Sequence, residues 1–248
     1  MPRITMEVAA IAFDVNGTLI HIRTEDNRED AFRAVGHFLT YQGIDLRRNH
    51  IRDLYFQRLK NQQRHSPEAH PEFDGPGIWK SIIDEFASDY TRTLSPQRLA
   101  ELPLTLAEIY RGVTRRKLKL YPHVRSTLRV LHEHFPLAIV SDGQSSYARG
   151  ELHKVGLTDF FNPIVVSGDH GFRKPDRRLF QFALDGMGVP PEKALYVGND
   201  MHRDIFGARE AGMRTVMYDS DQGTKHHQGC EPDFRITDFR DLLAIVGL

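Results

Sequence analysis

Val8-Ala9-Ala10-Ile11-Ala12-Phe13-Asp14-Val15-Asn16-Gly17-Thr18-Leu19 is the stretch whose reading decides the architecture. The six apolar residues from Val8 to Phe13 are too few for a helix and suit a strand buried on both faces, as in a parallel sheet. Asp14 to Thr18 then break the run with turn-forming chemistry. The same event recurs downstream. Pro136 to Val140 runs into Ser141-Asp142-Gly143, and Pro163 to Val166 into Ser167-Gly168-Asp169. Ala194 to Val197 runs into Gly198-Asn199-Asp200, and Arg214 to Tyr218 into Asp219. Helical periods lie between these runs: Val124, Leu128, Val130 and Leu131, then Leu179, Phe180, Ala183, Leu184 and Met187, then Ile205, Ala208 and Ala211, with Gly212 as a C-terminal cap. Strand and helix in alternation predict an α/β fold, a doubly wound, mostly parallel sheet covered on both sides.

Residues 21–118 read differently. Ala31, Val35, Phe38 and Leu39, then Ile51, Leu54, Tyr55 and Leu59, then Ile78, Ile82, Ile83 and Phe86 give helical faces with no convincing buried strand. Ser66 to Gly77, rich in Pro, His and Gly, reads as a loop between these helices. The simplest partition is a core of residues 1–20 and 119–248 with an α-helical cap of residues 21–118 inserted after the first strand.

Composition narrows the function classes. The chain of 248 residues can bury a sizeable core, and 33 basic against 33 acidic side chains leave no net charge to steer it towards nucleic acid or an anionic membrane. With 40 % hydrophobic and 27 % charged residues, wholesale disorder is excluded. Cys230 is the only cysteine, so neither an internal disulfide nor a cysteine-based zinc cluster can form. The run before Asp14 is too short for a secretory or membrane segment. The expectation is a cytoplasmic protein acting on a small molecule, without a nucleic-acid or membrane partner; its oligomeric state is not written in the sequence.

In an open parallel sheet, ligands bind beyond the carboxyl ends of the strands. Four polar clusters fall there: Asp14 to Thr18, Ser141, Lys174, and Asp200 with Asp204. Any one of them has a plain explanation as a turn or a cap. Their joint order on successive strand ends does not.

In that order the chain resembles the haloacid dehalogenase-like hydrolase superfamily over essentially its whole length. The first motif of that family is matched by Phe13-Asp14-Val15-Asn16-Gly17-Thr18-Leu19, the second by Ile139-Val140-Ser141-Asp142-Gly143, the third by Arg173-Lys174-Pro175-Asp176, and the fourth by Tyr196 to Asp204. The resemblance implies an aspartate nucleophile, Asp14, forming a covalent intermediate. It implies Lys174 as the electrostatic partner of Asp14, with Ser141, Asp142, Gly143 and Thr18 around the phosphoryl oxygens. It also implies Mg²⁺ held by Asp14, the main-chain carbonyl of Asn16, and Asp200 or Asp204.

Asn16 departs from the family pattern. Phosphatases of the family carry Asp there as general acid and base, a role worth roughly 10²–10⁴-fold that an amide cannot fill. The dehalogenases of the family expel a halide that needs no proton and use no metal, so Asn16 tilts towards them. Two features tilt back. Three residues after Asn199 stands His202, which breaks the Ser-x-Asn-x-x-Asp pattern of the dehalogenases, and Phe180 stands where they carry Tyr. Asp200 and Asp204 beside Asp14 would also repel without a cation. The leading expectation is therefore a Mg²⁺-dependent phosphatase of small phosphate esters with its general acid replaced by Asn16. The alternatives are a metal-independent 2-haloacid dehalogenase and a weakened member that binds or regulates.

Other features read more plainly. His226-His227 belongs to a polar loop, His132 and His134 to a helix surface, and the basic run Arg111, Arg115, Arg116, Lys117 and Lys119 to a solvated linker face. Trp79 reads as cap core, with Arg58 and Arg64 as residues that could select the substrate if the cap closes.

Overall fold

The computed structural model describes residues 7–248. After β1 (Ala10–Phe13) and β2 (Ile20–Thr24) come α1 (Glu29–Thr40), α2 (Arg48–His65), α3 (Gly75–Phe86), α4 (Asp89–Thr93) and α5 (Pro96–Thr114). The chain continues through β3 (Arg115–Leu120), α6 (Val124–His134), β4 (Leu137–Ser141), α7 (Ser145–Lys154), β5 (Ile164–Val166) and α8 (Arg177–Met187). It closes with β6 (Ala194–Gly198), α9 (Gly207–Glu210), β7 (Arg214–Tyr218), β8 (Phe234–Ile236) and α10 (Asp241–Ile245).

Six strands form a sheet in the order β5-β4-β1-β6-β7-β8, every neighbouring pair parallel. β1 sits between β4 and β6, where the winding direction reverses, and this switch point is where such sheets place a ligand. Alternate residues serve opposite faces. Ile11, Phe13, Ile139, Leu195 and Val197 pack into one apolar cluster, and Ala12, Ala138, Val140, Ala194 and Tyr196 into another. Burial on both faces explains why these strands read as continuous apolar runs rather than alternating ones.

β2 and β3 were not anticipated. They pair antiparallel, Ile20 opposite Leu120 and Ile22 opposite Leu118, and both predicted cap boundaries fall within this ribbon. The basic run read as a linker face is in large part β3, whose Arg and Lys residues alternate with Leu118 and Leu120 packed against the core. Between the two ribbon strands, α1 to α5 pack around an apolar cluster of their own, with Phe32, Tyr55, Trp79 and Leu106 inside it.

Candidate active site

β1 delivers Asp14, 5 % exposed, to the middle of the carboxyl edge of the sheet. Lys174, 3 % exposed, donates from Nζ to Asp14 Oδ1 at 2.7 Å and to Asp204 Oδ1 at 2.6 Å, and lies 3.2 Å from the Tyr196 hydroxyl. Burial pushes the Asp14 carboxyl up to about 6, with the Lys174 ammonium opposing the rise. Burial also works against the charge on Lys174, yet the Asp14 and Asp204 carboxylates hold its pKa well above the ordinary value. Lys174 is therefore a fixed cation shared by two buried acids.

The Thr18 hydroxyl lies 2.9 Å from Asp14 Oδ2 and 3.1 Å from the amide oxygen of Asn199. One hydroxyl proton cannot serve both oxygens. Turning the Asn199 amide over lets its nitrogen donate to Thr18, and puts its oxygen at the buried end of the amide that has no protein partner. Gly17 is required beneath it: φ is +92°, and a Cβ there would come within 2.3 Å of that end of Asn199.

Asp200 and Asp204 reach the same edge with their lone pairs largely spent. Asp200 opens a π-helical turn, Met201–Phe206, and accepts from the N–H groups of His202, Arg203 and Thr224 and from the Arg203 guanidinium. Although burial pushes its pKa up, these donors bring it down to about 2. Asp204 accepts from the N–H groups of Asn199 and Asp200 as well as from Lys174. Among the described residues, no three His, Cys, Asp or Glu side chains gather as a ready-made metal cage.

Ser141, 3 % exposed, ends β4, with Asn16 and Asp142 lining the same small crevice. Asp142 accepts the Lys174 N–H at 2.9 Å, and the Gly143 N–H donates to Ser167 Oγ at 2.9 Å. Two cations escaped the sequence reading. Arg203 stands 3.6 Å from Asp142 and 3.1 Å from Asp200, and Arg173 stands 3.7 Å from Asp142. Asp14, Asp142, Asp200 and Asp204 thus face Arg173, Lys174 and Arg203, with Glu72 also drawing on Arg173, so carboxylates outnumber cations.

Asn16 lines a cavity of about 220 Å³ between the helices α2, α3 and α5 and the sheet edge, and its Oδ1 is buried without a partner. Glu72, in the loop before α3, lines the same cavity and was not singled out by sequence. It accepts from Ser167 Oγ at 2.7 Å and the Phe73 N–H at 3.1 Å, and burial raises its pKa against the pull of Arg173. A raised folded-state pKa means that ionising Glu72 opposes folding, so its contribution to stability declines as pH rises through that pKa. Glu72→Gln is accordingly expected to melt above the parent at pH 7–8, with the gap closing towards about pH 4. Melting curves across that range check it, and a variant less stable at neutral pH would refute the assignment.

Trp79 is both cap core and cavity wall, whereas Arg58 pairs with Glu85, and neither Arg58 nor Arg64 lines the cavity. His202 stacks on Phe206 and lies 4.7 Å from the His227 ring, outside the Asp14–Lys174 contacts. His132, His134 and His226 are exposed. No helix among the described residues is long and apolar enough to cross a membrane.

Comparison with known proteins places this geometry. The sequence model of the haloacid dehalogenase-like hydrolases matches residues 11–218. The glyceraldehyde 3-phosphate phosphatase of Methanopyrus kandleri is 33 % identical over 256 residues, covering 96 % of this chain and 97 % of that protein. The phosphoserine phosphatase of Thermus thermophilus is 36 % identical over 135 residues, where the chain spans 54 % of that protein's length and the match covers 54 % of this chain. A 2-haloacid dehalogenase from Pseudomonas syringae superposes with a TM-score of 0.66 at 21 % identity, over 97 % of this chain and 98 % of that one. A phosphatase from Thermococcus onnurineus superposes at 0.57 and 23 % identity, over 97 % and 98 %. At such identities these two structures speak for the fold alone. The family match and the full-length relative go further: this chain belongs to the haloacid dehalogenase-like hydrolases.

Proposed function

We propose that the chain is a phosphatase of small phosphate monoesters, working through an aspartyl-phosphate on Asp14. The observation that carries this reading is the acid excess around Asp14, four carboxylates against three cations. A phosphate dianion entering such a site needs a further cation, whereas a metal-free dehalogenase would bring its substrate carboxylate against uncompensated charge. The phosphatases among the relatives support the same choice.

Asp14 attacks phosphorus, and the electron pair of the breaking P–O bond leaves on the ester oxygen. Lys174 holds the attacking carboxylate in place and offsets its charge. Ser141 and the main chain at Asp142 would face the phosphoryl oxygens, the Gly143 N–H being engaged by Ser167, while Thr18 orients Asp14 through Oδ2. Asn16 has no proton to give the leaving oxygen and cannot take one from the water that releases phosphate.

The donor set fits a hard cation. Asp14 keeps unused lone pairs, Asn16 offers its main-chain carbonyl, and the flipped Asn199 amide leaves a buried, unpartnered oxygen beside Gly17. These groups would hold Mg²⁺, with Asp204 behind them and Asp200 fixing the turn. Bound there, Mg²⁺ supplies the positive charge that lets two anions approach. EDTA is expected to lower phosphate release at least roughly a hundredfold, Mg²⁺ to restore it, and Asp14→Asn to abolish it. Release that ignores EDTA would sink the metal assignment. Metal-free halide release from a 2-haloacid would replace the phosphatase reading with dehalogenation.

A further inference from the structure

Resting on the phosphatase reading, we propose that the esterified alcohol is a phenol-type hydroxyl on a single aromatic ring that bears no second anion. The first argument is size and lining. A cavity of about 150 Å³ suffices for benzene, so the roughly 220 Å³ beside Asn16 accommodates one substituted ring. Aromatic side chains form part of its wall, beside polar ones such as Thr24 and Gln144. Tyr55 stacks on Trp79 at 4.8 Å and lies 4.8 Å from Tyr110, and Phe56, Phe73 and Tyr147 also line the cavity. Flat π-faces of this kind take a ring edge-on or offset-stacked.

The second argument is charge. Asp26, Glu72 and Asp142 line the cavity against Arg111 and Arg173. Arg111 is held by both oxygens of the buried Glu151, at 2.7 and 3.0 Å, and stacks on Tyr147 at 4.4 Å. Arg173 stands 3.9 Å from Glu72 and 3.7 Å from Asp142. Arg111 is taken up by Glu151, Arg173 is shared by two carboxylates and Asp26 adds a further negative charge, so the carboxylate of phosphoserine or the second phosphate of pyrophosphate meets an excess of negative charge.

The third argument is independent of the cavity. Without an acid at Asn16, the ester oxygen must leave as an anion, and a phenol with a pKa near that of tyrosine, about 10, does so far more readily than an alcohol near water, at about 15.7. The O–P bond of the aryl phosphate breaks as the bond from Asp14 to phosphorus forms, and the phenolate takes a proton from solvent. Water then adds to phosphorus, the Asp14 carboxylate is released, and the displaced proton goes to solvent. This second step is common to all substrates, so selectivity is read in kcat/KM, which ends at formation of the phosphorylated Asp14.

The test compares phenyl phosphate, 4-carboxyphenyl phosphate, phosphoserine, glyceraldehyde 3-phosphate and pyrophosphate in the native chain, in Asn16→Asp and in Glu72→Gln. Phenyl phosphate is expected to exceed 4-carboxyphenyl phosphate by roughly tenfold or more in kcat/KM, the penalty of an unpaired charge in a partly buried site. Glu72→Gln should narrow that ratio. The lead of phenyl phosphate over the alkyl phosphates should shrink in Asn16→Asp, where a proton donor is restored, but should not reverse. Preference for phosphoserine, glyceraldehyde 3-phosphate or pyrophosphate in Asn16→Asp overturns the aryl assignment and leaves the phosphatase standing. Release from none of the five in any of the three proteins overturns both.

Discussion

Asn16→Asp is expected to raise steady-state phosphate release by roughly 10²–10⁴-fold, the range over which a placed general acid–base acts. The exchange is nearly isosteric: it replaces the Asn16 amide nitrogen by oxygen, at a residue that lines the cavity and whose Oδ1 is already buried without a partner. A carboxyl at that point joins Asp14, Asp142, Asp200 and Asp204, and the added repulsion raises its own pKa. A raised pKa is what a group needs to donate to the leaving oxygen and then accept from water near neutral pH. The native chain predicts the complementary kinetics. With an aryl phosphate, Asp14 is phosphorylated without help, and the unassisted attack of water becomes the slow step. A burst of phenol about equal to the enzyme concentration should precede slow phosphate release, and intact-protein mass spectrometry should find the phosphorylated chain. In Asn16→Asp the burst should vanish as the second step catches up. A variant no faster than the parent, or a native chain that shows neither burst nor phosphoprotein, would mean that Asn16 does not stand in for an acid at all.

How far the sequence reaches follows from how each strand is buried. β1, β4, β5, β6 and β7 are covered on both faces, so their sequences are near-continuous apolar runs that end in polar turns. β2 and β3 are half-exposed, and Ile20-His21-Ile22 and Arg115 to Leu120 alternate without a run to notice. β8, three residues long, offers no period. The same distinction divides the site. Asp14, Lys174 and Asp204 stand at the ends of legible strands or in motifs ordered along the chain, and the ion triad they form was open to inference. Glu72 comes from an irregular loop and acquires its role by docking on Ser167, ninety-five positions away. Arg173 and Arg203 each adjoin a recognised residue, yet only the fold shows that both turn towards Asp142. The spare lone pairs of Asp14 and the filled ones of Asp200 are likewise matters of hydrogen-bond geometry, which residue spacing does not encode.

Lys174→Met is expected to abolish measurable turnover and to lower stability by about 3–5 kcal/mol, because removing one partner strands the others as buried charges. Lys174 Nζ bridges Asp14 and Asp204 at 2.7 and 2.6 Å, and both carboxylates are at least 95 % buried. Without the ammonium, the pair repels across a site already short of positive charge. Methionine conserves the length and most of the volume of the side chain, so the loss reports the missing charge rather than a cavity. A second substitution separates folding from chemistry. Asp204→Asn added to Lys174→Met removes one of the two stranded charges and should recover roughly half of the lost stability, since the sites share a partner and are not additive. It should recover no activity, because Asp14 still lacks the cation that holds and shields it during attack on phosphorus. Chemical denaturation of the parent, both single variants and the double variant gives the coupling, and phosphate release on the same four proteins gives the chemistry. Stability unchanged in Lys174→Met would show that the triad does not hold the folded site together. Activity returning in the double variant would remove Lys174 from the mechanism and leave Asp204 as the residue whose charge must be controlled.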